Sequence, residues 1–176
     1  MVDLRSDTQT LPCAEMRRAM ADAEVGDEQR GEDPTVAELE RRVAELTGKD
    51  GGVFLPSGTL CNIVAFFVYC RPGDAVVLDR ASHPATAEQG GPAVHARVVL
   101  RKLAGERGVF TASQLELVLE RPDGYDRRYR EPVRLISVEN THNFGMGKCG
   151  PEKYSRACAT SPLTMGSAYI WTAPDC

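Results

Sequence analysis

Residues that build metal sites and disulfide scaffolds are scarce in this sequence. It has only 3 histidines and 6 cysteines among 176 residues, and no two cysteines are spaced as Cys-x-x-Cys. A structural zinc site needs its ligands at closer spacing than these residues offer. A chain of this length also buries enough core to fold without a disulfide scaffold. We therefore expect no metal site, and we expect the thiols to be free.

Long apolar runs and an excess of positive charge are also missing. No stretch of about 18 apolar residues occurs, so the sequence predicts no membrane-spanning helix. There are 21 Lys and Arg residues against 25 Asp and Glu, and the net charge of −4 argues against charge-driven binding of nucleic acid. Charged residues occupy positions 3, 5 and 7, where a secretory signal needs an apolar segment, so we expect a cytoplasmic protein.

What the sequence does contain is an alternation of predicted helices and strands. Pro12 and Pro34 are suited to the first turns of two helices, and Asp33 and Gly48 flank the second helix as N-cap and C-cap. Apolar runs predict strands at 53–55, 75–78, 98–100 and 133–138, and helices at 60–70 and 113–120. This order predicts about one domain of the α/β class with a largely parallel sheet.

Two short segments at the ends of predicted strands are candidates for chemistry. Ser57, Gly58 and Thr59 open a helix, where free N–H groups and the helix dipole attract a phosphate. A capped helix without a ligand has the same pattern. His83 follows a buried strand, where its imidazole is placed for acid–base work or for stacking on a flat ring. A purely structural histidine is the alternative.

Two further polar segments are weaker candidates. Residues 139–143, Glu-Asn-Thr-His-Asn, follow another predicted strand; the alternative is a turn satisfied by its own side chains. Residues 5–8, Arg-Ser-Asp-Thr, offer a guanidinium and hydroxyls that suit a carboxylate; the alternative is a solvated terminus. Neither segment identifies a reaction by itself.

Taken together, these motifs resemble those of the low-specificity threonine aldolases, lyases that use pyridoxal 5'-phosphate and have the aspartate-aminotransferase fold, fold type I. The segments that carry the resemblance are 2–8, 25–27, 31–35, 54–59, 81–83 and 137–143. They occur in register over residues 1–143. The resemblance implies a three-layer αβα large domain that is partial here, with 144–176 as a degenerate tail of the same domain and the C-terminal domain missing. The chain is thus expected to be a truncated, degenerate copy.

The resemblance also implies roles for individual residues. The backbone at Ser57, Gly58 and Thr59 corresponds to the cofactor's phosphate site. His83 corresponds to the histidine that stacks on the pyridine ring and assists proton transfer, and Ser6 to the serine that binds the substrate carboxylate. The family's reaction cleaves threonine or allo-threonine, an amino-acid substrate, to glycine and acetaldehyde in threonine catabolism. Family members are homo-oligomers with active sites at a dimer interface.

Departures from the family pattern affect the expected activity. The Schiff-base lysine of the family lies beyond the equivalent of residue 176, and none of the lysines of this chain lies in its motif; they are Lys49, Lys102, Lys148 and Lys153. In the family's Asp-Gly-Ala-Arg motif, Gly166 stands at the aspartate position and Tyr169 at the arginine position. The segment 151–164 is shorter than in the family, and Arg30 replaces a tyrosine.

Three functions therefore remain open at this point. The first is the family's carbon–carbon lyase reaction, which we expect to be absent from this chain acting alone. The second is a non-catalytic remnant, or a pseudogene-type product, that pairs with a full-length subunit. The third is an unrelated α/β protein that binds a nucleotide phosphate, although the turn at 57–59 lacks the lysine of a P-loop and the spaced glycines of a dinucleotide site.

Overall fold

The computed structural model describes residues 9–119, 131–150 and 168–172. Its helices are α1 (Ala14–Asp22), α2 (Pro34–Thr47), α3 (Gly58–Tyr69), α4 (His83–Thr86), α5 (Gly91–Val94) and α6 (Ala112–Leu119). Its strands are β1 (Ala75–Asp79), β2 (Val99–Leu103), β3 (Val133–Glu139) and β4 (Ala168–Thr172). The contacts divide the chain into two compact units, the first ending at Pro56 and the second beginning at Ser57.

In the first unit, helix α2 has the ends that the sequence predicts. Asp33 Oδ1 accepts the N–H of Val36 at 2.9 Å, and Oδ2 accepts the N–H of Gly26 at 3.2 Å. The Val36 and Gly26 N–H groups hold the pKa of the Asp33 carboxyl below its usual value. Gly48 ends the helix in the left-handed conformation, with φ of 64°. One carboxylate therefore both caps α2 and closes the loop before it.

The strand predicted at 53–55 is wrong, because residues 51–55 have no regular secondary structure. Val53 and Phe54 are 79% and 50% exposed, and the N–H of Phe54 donates to Glu40 Oε1 at 2.7 Å. A strand needs a neighbouring strand to pair with its backbone, which a short apolar run does not reveal. Helix α1 begins at Ala14 with Cys13 at its N-cap position, so Pro12 lies before the helix rather than in its first turn.

In the second unit, the described strands form one parallel sheet in the order β2-β1-β3-β4. Ala75 of β1 lies opposite Val99 of β2, and Val77 lies opposite Ile136 of β3. The sheet confirms the predicted strands near 75–78, 98–100 and 133–138, with β2 extending to Leu103. The α/β class with a parallel sheet is therefore confirmed.

Helices cover both faces of this sheet. The buried cluster between α3 and one face consists of Phe66, Val76, Leu78, Ala96, Val98 and Leu135. The buried cluster between α6 and the other face consists of Val77, Leu103, Phe110, Leu115 and Ile136. Successive residues of β1 enter opposite clusters because side chains alternate along a strand. The result is the three-layer αβα arrangement, in which the central strand β1 is buried along its length and a ligand reaches it at its end.

The last described strand contains one residue that the sequence interpretation singled out. Tyr169, assigned to the arginine position of the family's motif, lies in β4 opposite Ile136. That assignment stays a prediction. Gly166 and the short segment 151–164 lie outside the described residues, and the division at 143/144 stays a prediction.

The described cysteines are Cys13, Cys61, Cys70 and Cys149, and all of them are free. Burial, together with the negative charge of Asp74, raises the pKa of the Cys70 thiol to about 11. This thiol is therefore protonated at neutral pH and a poor nucleophile. In the described parts of the chain, no helix is both long and apolar enough to cross a bilayer.

Two leucines of helix α6 differ in burial, so we expect their replacement by alanine to lower the free energy of unfolding by different amounts. Leu115 of α6 is 2% exposed, whereas Leu117 is 65% exposed. We expect Leu115→Ala to lower the free energy of unfolding by about 2–5 kcal/mol, because it leaves a cavity against the sheet. Leu117→Ala is the matched control and should change it by no more than about 0.5 kcal/mol. Urea denaturation followed by circular dichroism measures both, and equal effects would contradict the packing.

The Asp33 cap predicts a pH dependence confined to the start of α2. Because the folded pKa is lowered, the cap stabilises the helix above the ordinary Asp value of 3.8 and is lost as pH falls through the lowered pKa. The amide proton shift of Val36 should therefore titrate with a midpoint below 3.8. Asp33→Asn, which caps without titrating, should abolish this transition. A midpoint above the ordinary value would count against the two hydrogen bonds.

Candidate functional site

The candidate site lies at the carboxyl edge of the sheet, between β1 and β3. The chain leaves β1 for β2 on one side, while β3 pairs on the other side of β1. Doubly wound sheets bind ligands in the crevice outside the strand ends at such a switch point. Helix α3 ends at Tyr69 and only a short turn leads to Ala75, so α3 runs back against β1. The start of α3 therefore belongs to the same edge.

The first turn of α3 is an open donor site. Ser57 Oγ caps the helix by accepting the N–H of Leu60 at 3.2 Å, and Ser57 O accepts the N–H of Cys61 at 3.1 Å. The N–H groups of Gly58 and Thr59 donate to no acceptor in the described part of the chain. These donors and the positive end of the helix dipole suit an anion such as a phosphate.

A cleft of about 310 Å³ opens beside this turn. Thr59 lines it on the α3 side. The segment after α4 supplies the other side, with Ala87, Glu88, Gln89, Gly91, Val94 and His95. His83 is not among the lining residues but stands next to Glu88, which is. Its side chain is 40% exposed, so the imidazole is accessible at the same edge.

A buried carboxylate connects α3 to His83. Glu88 Oε1 accepts the Nδ2–H of Asn62 at 2.6 Å and lies 2.9 Å from Nδ1 of His83. The Glu88 side chain is fully buried. Its Oε2 atom and Asn62 Oδ1 have no hydrogen-bond partner among the described residues. One oxygen atom therefore joins the helix that offers the anion site to the exposed imidazole.

A second carboxylate connects the loops that follow β1 and β3. Glu139 Oε2 accepts the N–H of His83, and Oε1 accepts the N–H of Asn143, both at 2.7 Å. Glu139 is the last residue of β3 and is buried. The backbone of His83 is thus held from β3, while its ring is held through Glu88. These two contacts restrict both the position and the orientation of the imidazole.

A third carboxylate and a buried histidine hold the remaining loops. Asp79, the last residue of β1, accepts the N–H groups of Ala81 at 2.8 Å and Gly105 at 2.7 Å. His142 is fully buried; its Nδ1 accepts the N–H of Gly145 at 3.0 Å, and its Nε2 lies 3.6 Å from Asp79 Oδ1. Within the polar segment 139–143, the side chain of Glu139 accepts the N–H of Asn143, as the turn interpretation expects, but Glu139 and His142 also bind groups outside the segment.

The structure brings Ser57, Gly58, Thr59 and His83 to one edge of the sheet, as the resemblance implies. Their functional roles stay predictions, and Ser6 lies outside the described residues. Sequence analysis missed Glu88. An acidic residue among the small and apolar residues of 84–94 was the available signal. Within the described ranges, no group of three or more His, Cys, Asp or Glu side chains is arranged to hold a metal ion.

The paired contacts of Glu139 predict that His83 and Asn143 are held together. Glu139→Gln replaces one accepting oxygen by an NH₂ group, which cannot accept a backbone N–H, so one of the two bonds is lost. We expect a destabilisation of about 1–3 kcal/mol. Amide hydrogen exchange should become faster at His83 or Asn143. Glu116→Gln on the exposed side of α6 is the control, and unchanged exchange in Glu139→Gln would refute the bridge.

Comparison with known proteins places this chain in a family. The family model described as beta-eliminating lyase matches residues 3–162. The chain is 41% identical over 159 residues to the probable low-specificity L-threonine aldolase 2 of Arabidopsis thaliana, covering 87% of this chain and 43% of that protein. It is 38% identical over 155 residues to the low specificity L-threonine aldolase of Escherichia coli K12, covering 88% of this chain and 44% of that protein.

A solved structure agrees in fold. The threonine aldolase of Leishmania major superimposes with a TM-score of 0.69 at 21% identity, covering 89% of this chain and 44% of that chain. At this identity the likeness concerns the fold alone. The present chain spans about two fifths of the length of the curated relatives that it matches. On the family model, which covers most of its residues, the chain belongs to the beta-eliminating lyase family.

Proposed function

We propose that this site binds pyridoxal 5'-phosphate and that it serves the cleavage of a β-hydroxy-α-amino acid, such as threonine, to glycine and an aldehyde. The observation that carries the proposal is the link between the open first turn of α3 and His83 through Glu88. The names of the relatives, which are threonine aldolases, support the same reaction class. The alternative of a nucleotide-phosphate protein has no such support.

The residues present fit the cofactor. Its phosphate needs several N–H donors at a positive helix end, and Gly58 and Thr59 offer two such groups without competing acceptors in the described residues. Its flat pyridine ring needs a flat partner, and the imidazole of His83 is accessible and held at two points. The hydroxyls of Ser57 and Thr59 add further donors at the same turn.

The division of labour in the proposed reaction follows from these positions. The bound cofactor supplies an electron sink for the carbanion that remains when the Cα–Cβ bond breaks. The first turn of α3 would hold the phosphate. His83 would stack on the pyridine ring and offer a ring nitrogen for proton transfer. Glu139 keeps this imidazole at the edge of the sheet, and Ser6 is assigned to the substrate carboxylate.

Turnover is a separate part of the proposal. None of the lysines of this chain is assigned the Schiff-base role of the family's lysine. Among the described lysines, Lys102 belongs to the edge strand β2, and its Nζ donates to Ala85 O at 3.3 Å. We therefore propose that residues 1–176 by themselves bind the cofactor without turnover. They would contribute to catalysis when paired with an intact family subunit.

The phosphate site predicts a loss of affinity in Thr59→Glu. A carboxylate at the second position of α3 occupies the anion site and repels phosphate, while the helix dipole keeps the helix stable. We expect pyridoxal 5'-phosphate to bind at least about tenfold more weakly, equivalent to about 1.4 kcal/mol. Pyridoxal, which lacks the phosphate, should bind the native and variant chains alike. Absorbance titration measures both ligands.

Ser113→Glu is the matched control, because it places the same charge at the second position of α6. It should leave the affinity unchanged. Equal affinity of the native chain for pyridoxal and its phosphate would overturn the phosphate site. Acetaldehyde release from threonine by the chain alone would overturn only the proposed lack of turnover. Co-purification of this chain with an intact family subunit would support pairing, and no association at micromolar concentration would count against it.

A further inference from the structure

Glu88 enters the proposed function only as a link, yet its buried carboxylate contacts the ring of His83. We propose that Glu88 is the positioning residue of this site. It holds the His83 ring with its proton on Nδ1 and leaves Nε2 as a free acceptor toward the ligand. The chemical meaning of this tautomer rests on the proposed function, whereas the tautomer itself is a property of the chain without any ligand.

The hydrogen-bond geometry sets the direction of the His83 contact. Glu88 Oε1 lies 2.9 Å from His83 Nδ1. An ionised carboxylate only accepts hydrogen bonds, so Nδ1 is the donor. A neutral imidazole carries one proton, and Nε2 is then bare. Glu88 therefore selects which ring nitrogen serves as the base.

Burial makes this selection firm. The Glu88 side chain is fully buried, whereas that of His83 is 40% exposed. Water cannot easily replace a buried acceptor, and a hydrogen bond to an ionised group is stronger than one between neutral groups. The same oxygen also accepts from Asn62 at 2.6 Å. Because Asn62 belongs to α3, Glu88 ties the base to the helix whose first turn is assigned to the phosphate.

His142 supplies an internal reference with the opposite tautomer. Its Nδ1 accepts the N–H of Gly145 at 3.0 Å, so its proton is on Nε2. The chain has only 3 histidines, which keeps the spectrum simple. In one sample, the spectrum is therefore expected to show the proton on Nδ1 for His83 and on Nε2 for His142.

The test is two-bond ¹H–¹⁵N correlation of ¹⁵N-histidine-labelled full chain, without cofactor, at mildly alkaline pH, where imidazoles are neutral. His83→Gln assigns the His83 signals. We expect a protonated Nδ1 and a bare Nε2 for His83, and the reverse for His142. A proton on Nε2 of His83 in the native chain would overturn the inference without any variant of Glu88.

Variants separate positioning from a merely structural role. Glu88→Gln retains an oxygen that accepts from both Asn62 and His83, so it should keep the Nδ1–H pattern. Glu88→Ala removes that oxygen and should lose the pattern, whereas a structural role would leave it unchanged. Glu116→Ala, the same replacement at an exposed position of α6, is the control and should have no effect. If Glu88→Ala does not fold, the position of the His83 proton in the native chain and in Glu88→Gln decides whether the inference holds.

Titration of the same sample with pyridoxal 5'-phosphate distinguishes this inference from the proposed function. If the cofactor does not bind while His83 carries its proton on Nδ1, the proposed function fails and the positioning role stands. If the cofactor binds while His83 carries its proton on Nε2, the positioning role fails and the proposed function stands. The expected result is binding together with the Nδ1–H pattern.

Discussion

Carboxylates at the ends of two neighbouring strands hold the loops on which the candidate site depends. Asp79 and Glu139 are the last residues of β1 and β3, and each accepts two backbone N–H groups from the loops beyond. A parallel sheet covered on both faces leaves only the strand ends for polar chemistry. Loop N–H groups buried there cost free energy unless an acceptor meets them. These two side chains satisfy that requirement and fix the loops at the same time.

The site follows from that constraint. With its backbone held by Glu139 and its ring by Glu88, His83 has little freedom relative to the first turn of α3. The turn itself is preorganised by the Ser57 cap, so its two open N–H groups point outward before any ligand arrives. Preorganised donors and a fixed ring are what a phosphorylated, flat cofactor requires. The proposed binding of such a cofactor rests on this geometry together with family membership.

Local patterns were sufficient wherever the deciding interactions lie within a few residues. The caps of α2 at Asp33 and Gly48, and the Ser57 cap of α3, depend on contacts three or four positions apart, and the structure confirms them. The strand prediction at 53–55 was wrong for the opposite reason, since strand formation depends on a partner strand elsewhere in the chain. Glu88 was missed on similar grounds, because its partner Asn62 lies 26 positions away.

The sequence by itself therefore determined most of the alternation of helices and strands, the α/β class, the ends of α2 and, through its motifs, the family. These depend on side-chain period, capping and turn chemistry, which act locally. Only the tertiary structure decided which polar groups meet. The bond from His83 to Glu139 spans 56 positions, and it exists because β1 and β3 pair in parallel and bring their carboxyl ends together. Strand order and register are set by the packing of the whole sheet, which no single segment encodes.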